Sequence, residues 1–138
     1  MGLDMYAYRT KYKPPKEVDF SNEIFAKDDR GELDYETPIV GAKGIAYWRK
    51  HPDLHGWMER LYREKGGIEE SFNGDLLVLT LEDLDRLEED ILRKNLPKTT
   101  GFFFGESGND ISLKDLEFIL ESRKAIQEGD TVFYDSRW

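Results

Sequence analysis

Two histidines stand four residues apart in this chain, His51 and His55, and Glu59 follows four further on. On one unbroken helix the three side chains would share a face, a spacing that suits a metal ion. Pro52 falls between the histidines, so His51 is expected to precede the helix and to point elsewhere. The chain has no cysteine, which removes thiolate zinc sites, disulfides and cysteine nucleophiles. No metal and no other cofactor is expected. His55 is the candidate general base of a hydrolase, with its catalytic partners unknown, because Ser107 and Ser136 have no evident base beyond the two histidines.

A second constellation precedes the same helix. Trp48, Arg49 and Lys50 set an indole beside two cations where helix N-terminal amides favour negative charge. A small anionic or nucleotide-like ligand would suit such a pocket. Arg49 and Lys50 would meet its charge, and Trp48 and Trp138 would stack on it. Tyr6, His55 and Ser136 would supply hydrogen bonds. The plainer alternative leaves the cations solvated and buries Trp48.

Two more segments are unusual. GFFFG, residues 101–105, reads as a strand and turn whose three Phe are either covered on both faces or line a cavity. FYDSRW closes the chain, with Tyr134, Ser136 and Trp138 on one face by period two. Phosphate loops, dinucleotide fingerprints and GxSxG elbows are absent. With 29 acidic residues, a pair of carboxylates carries no information by itself.

These residues need elements to hold them. Leu3, Met5 and Ala7 alternate with Asp4, Tyr6 and Tyr8, which predicts a strand. Residues 11–36 hold Pro, Gly and dense charge and read as a surface excursion, with a short ordered piece around Phe20 to Phe25. TPIVGAKGIAYW is interrupted by Gly41 and Gly44 and suggests a turn leading into a helix. From Pro52, residues Leu54, Trp57, Met58, Leu61 and Tyr62 form one apolar stripe that ends at Gly66. Asp75 to Thr80 is a short strand. Thr80 and Asp83 make a capping box for a helix with Leu84, Leu87, Ile91 and Leu92 inward. Ser112 caps the last helix, with Leu116, Ile119, Leu120 and Ile126 as its stripe. TVFYDSRW is a terminal strand expected to meet the first one.

The fold class that follows is α+β: a small, mainly antiparallel sheet with about three packed helices, one domain over 1–138. With 138 residues and 13% aromatics, the chain can bury a real core although 36% of it is charged. A formal net charge of −9 argues against general nucleic-acid binding and against anionic membrane. It permits an acidic interaction module or inhibitor that covers a basic groove on a host protein. No secretory signal and no membrane span is expected.

The segments MGLDMY, YWRK with His55 and Trp57, GFFFG, and Tyr134-x-Ser136-x-Trp138 together resemble the signatures of a family of small uncharacterised proteins from bacteria and their phages. The resemblance runs the length of the chain. It implies a cytoplasmic setting in a bacterium or a phage-infected host, and it supplies no mechanism. It includes His55 but not His51, where a small residue is usual. Pro52 and the charged stretch Asp28 to Glu36 depart from it.

Overall fold

The computed structural model of the chain describes residues 2–20, 25–38, 41–101, 104–108 and 110–138. Among them a four-stranded antiparallel sheet carries three helices on one face. Its strands are β1 (Asp4–Thr10), β4 (Lys43–Arg49), β5 (Leu77–Leu79) and β6 (Thr131–Arg137), in the order β4-β1-β6-β5. A separate hairpin pairs β2 (Phe25–Lys27) with β3 (Leu33–Pro38). The helices are α1 (Pro52–Glu64), α2 (Leu81–Leu92) and α3 (Leu113–Gln127). The architecture is α+β, as the patterning predicts.

The terminal strands lie side by side. Met5 pairs with Ser136 and Tyr6 with Asp135, while across β4 Met5 pairs with Trp48 and Tyr6 with Tyr47. Directly paired residues share a face. Met5, Ala7, Trp48, Val132 and Tyr134 therefore turn toward the helices, where they join Leu54, Met58, Leu84, Phe118 and Ile119 in the main core. Burying each such side chain stabilises the fold by roughly 1.5–3 kcal/mol. The other face holds Tyr6, Tyr8 and Phe133, and a smaller cluster of Phe20, Leu76 and Phe133 forms there. Both faces of β6 are thus covered, which is why five consecutive residues of it are buried.

The helix termini follow the sequence. Thr80 and Asp83 form the reciprocal box at α2, and Ser112 accepts from the Asp115 amide at α3. Pro52 opens α1. Gly66, with φ of +90°, follows the α1 cap residue Lys65. The Lys65 ammonium then binds Glu17, the Val78 carbonyl and Asp83, so it joins the end of α1 to β5 and to the start of α2.

Four readings are corrected. The segment before α1 is a strand, β4, because β1 offers it a hydrogen-bond ladder; Gly44 sits where the register shifts by one residue. Gly101 and Phe104 are not in a strand. The Phe104 amide closes a turn onto the Gly101 carbonyl, while Phe102 and Phe103 lie outside the described residues. The 11–36 excursion anchors Phe20 in the smaller core and enters the β2–β3 hairpin, which runs past it to Pro38; residues 21–24 of its expected ordered piece lie outside the described residues. Leu92 and Leu120 are exposed, while Ile119 is buried as expected and Phe118, Ser122 and Ala125 join it on the inner face of α3.

Candidate functional site

A cleft of about 530 Å³ opens where α1 and α3 begin and α2 ends, and the loop that follows Phe104 lines one side of it. Its floor is His51 and Ser107, with Asp53 and Asp115 beside them. Lys50, Lys94 and Lys98 are on its rim, opposed by Glu106 and Asp110.

Lys50 enters the cleft through an unusual backbone. It is the first of the two residues between β4 and α1, its φ is +58°, and its amide donates to the Leu3 carbonyl at 2.7 Å. A side chain in this left-handed region costs roughly 1–2 kcal/mol. Two glycines lie against the Lys50 stem, Gly105 more tightly than Gly2. A Cβ on Gly105 would stand 3.0 Å from the Lys50 Cβ, and one on Gly2 would stand 3.4 Å from its Cε. Both glycines have positive φ, +74° and +150°. The opening segment and the GFFFG segment therefore grip the lysine stem from two sides.

His51 precedes α1 but makes no side-chain cap to it. Its Nε2 lies 2.8 Å from Asp115 Oδ2 and its Nδ1 lies 2.6 Å from Ser107 Oγ. A carboxylate only accepts, so Nε2 donates to Asp115, and in the neutral ring Nδ1 is then the acceptor for the Ser107 hydroxyl. Ser107 also accepts from the Asp53 amide at 3.1 Å and so satisfies the start of α1 from a remote loop. Asp115 is buried, and its other oxygen accepts from the Trp48 indole at 2.9 Å. Asp53 accepts from the Thr99 amide at 3.0 Å and meets Lys98 at 3.5 Å. The two floor carboxylates are thus already engaged.

The seven residues expected to bind ligand do not come together. Lys50 lines the cleft. Trp48 is 4% exposed, edge-on to Phe118, with its indole nitrogen spent on Asp115. Tyr6 and Arg49 are on the opposite face of the sheet, where Arg49 pairs with Asp4 and Arg137 stands over the Tyr6 ring. Ser136 is buried on the helix face. Trp138 is pinned by its indole to the Phe72 carbonyl and by its backbone to Asn73, and it packs edge-on against Phe104.

His55 is 1% exposed, stacked on Phe72 and edge-on to Phe104, with Nδ1 2.7 Å from the Tyr134 hydroxyl. Burial lowers its pKa to about 4, opposed in part by the Phe72 carbonyl. His55 does not line the cleft. His51, His55 and Glu59 diverge onto Ser107 with Asp115, onto Tyr134, and onto Arg63, so the helix-face metal geometry is not formed. Among the described residues Asp19, Glu69 and Asp75 bring carboxylate oxygens within 4.8 Å of one another, but Asp19 is held by Tyr62 and the Ile68 amide, and Asp75 by the Asn73 amide.

Sequence reasoning missed the Ser107–His51–Asp115 chain. The one signal for it was Pro52, which frees His51 from the helix face. No protein-family model matches the chain, and no curated protein or solved structure matches it either.

Proposed function

We propose that the protein binds a small anionic molecule in the cleft, with Lys50 meeting its charge. The observation that carries this reading is the built placement of Lys50: a left-handed lysine at the cleft rim, with its stem between two positive-φ glycines. Strain of this kind persists where surrounding structure enforces it, and it gathers at ligand sites. Lys94 adds charge at the same rim, whereas Lys98 is engaged with Asp53, and Glu106 and Asp110 stand across the cleft. The nucleotide-like part of the expectation loses support, because neither Trp48 nor Trp138 lines the cleft.

Titration of isotopically labelled protein with inorganic phosphate and with succinate tests the reading. Amide shifts should gather on Lys50, His51 and Ser107. Lys50→Asn keeps a residue that tolerates the left-handed region and removes the charge. It should weaken binding by roughly fivefold, the effect of about 1 kcal/mol from one partly screened charge. Shifts spread over the surface, or affinity indifferent to this substitution, would sink the reading.

A further inference from the structure

We propose that Ser107 is a nucleophile activated by His51, and that the cleft hydrolyses small esters whose acid part carries a second negative charge. The choice of substrate rests on the anion reading of the cleft; the nucleophile does not. Three observations support the nucleophile. Ser107 Oγ, the two nitrogens of His51 and Asp115 form one continuous chain, with contacts of 2.6 and 2.8 Å, and in a neutral His51 ring its hydrogen bonds run one way, from the Ser107 hydroxyl to Nδ1 and from Nε2–H to Asp115. Ser107 and His51 are half-buried on the floor of an open cleft, while Asp115 lies beneath them. Asp115 is held from behind by the Trp48 indole, so the orienting group is itself oriented.

The ring nitrogens are reversed relative to the chymotrypsin arrangement, where Nε2 faces the serine. Triads are defined by geometry and role, and either nitrogen serves as base when the other donates. The Asp53 amide on Ser107 Oγ stabilises charge as the hydroxyl loses its proton.

In the first step Oγ bonds to the ester carbonyl carbon while its proton passes to His51 Nδ1. The intermediate collapses, the bond to the leaving alcohol breaks, and that oxygen takes the proton from His51. Water then attacks the acyl-serine, giving one proton to His51. Ser107 leaves and recovers that proton, releasing the acid. Ser107 and His51 are the catalytic residues, and Asp115 is a positioning residue.

The test uses the whole chain with two probes, a fluorophosphonate and p-nitrophenyl succinate. The expected result is a stoichiometric mass increase on Ser107 with loss of fluoride. His51→Gln should slow it by roughly 100-fold or more, the scale of losing a general base. Asp115→Asn should lower kcat on the ester and leave KM unchanged, which a loss of packing alone would not do. Circular dichroism on each variant separates lost chemistry from lost fold. A folded parent that is not labelled at Ser107, or is labelled at the same rate with His51→Gln, overturns the proposal. Preference for p-nitrophenyl succinate over p-nitrophenyl acetate should disappear in Lys50→Asn. Labelling at Ser107 without that preference would keep the nucleophile and defeat the anion reading alone.

Discussion

Gly105 lies tightly against Lys50: a Cβ there would stand 3.0 Å from the Lys50 Cβ and 3.1 Å from its Cδ, so the lysine stem would have to give way. The backbone of Gly105 is also left-handed, with φ of +74°. Two penalties therefore fall on one substitution. Gly105→Ala should destabilise the protein by about 1–3 kcal/mol through strain and contact. It should also displace the Lys50 stem. Urea denaturation reads the first effect, and phosphate titration reads the second. A variant of unchanged stability and affinity would show that the glycine does not set the lysine.

The buried His55 gives stability a pH dependence. Its folded pKa is about 4 against an ordinary value of 6.5, so between those values the unfolded chain binds a proton that the folded chain refuses. Stability from this group is complete above pH 6.5 and is lost as pH falls toward 4. The shift corresponds to about 3 kcal/mol. His55→Phe removes the titration. The free-energy gap between parent and variant should therefore shrink by about that amount from pH 7 to pH 4. A gap independent of pH would mean that the ring is protonated in place.

Asp135 works in the opposite sense. It is 0% exposed, with Oδ1 unpaired and Oδ2 only 3.4 Å from Arg137, and burial raises its carboxyl to about 6. The folded state holds its proton more firmly than the unfolded state does. Its contribution favours folding at low pH and is lost as pH rises through the window from 3.8 to 6. Asp135→Asn keeps the shape without the charge. It should stabilise the protein by about 1–2 kcal/mol at pH 8, with the gain fading below pH 4. Thermal melts at the two pH values decide it.

Lys65 joins three elements through one ammonium, and its side chain is largely buried. Lys65→Met fills the same volume but leaves Asp83 without its cation and the Val78 carbonyl without a donor. Removing one member of such a buried pair costs up to about 3–5 kcal/mol, less here because Asp83 still accepts from the Thr80 amide. A loss of about 2 kcal/mol in a denaturant series is expected. A smaller loss on adding Asp83→Leu would show that the penalty is the stranded carboxylate.

Legibility in the sequence followed the range of the interactions. β1 and β6 could be read because alternation is local, and the capping box at Thr80 and the cap at Ser112 span three residues. β4 could not, because its glycines look like a turn and only pairing with a strand about forty residues away overrides them. The site was harder still. Aromatics and cations before α1 were visible, but the register of Met5 against Trp48 decides that the indole turns inward. Ser107 reaches His51 across 56 positions, through a loop whose turn at Gly101 and Phe104 no periodicity announces. A relay of this kind is set by geometry and leaves no spacing to read.

Trp48 joins these two levels and gives the sharpest contrast with the expectation from sequence. As a stacking wall it would lose ligand on removal and leave stability intact. In the structure its ring packs edge-on to Phe118 and its N–H steadies Asp115, which in turn holds His51. Trp48→Phe keeps most of the apolar contact and deletes the donor. The expected cost is about 1–2 kcal/mol of stability, from a buried carboxylate oxygen left without its partner. Affinity for phosphate should stay within twofold of the parent, since the indole does not reach the cleft. Loss of binding at unchanged stability would restore Trp48 to the ligand and place the site on the other side of His51.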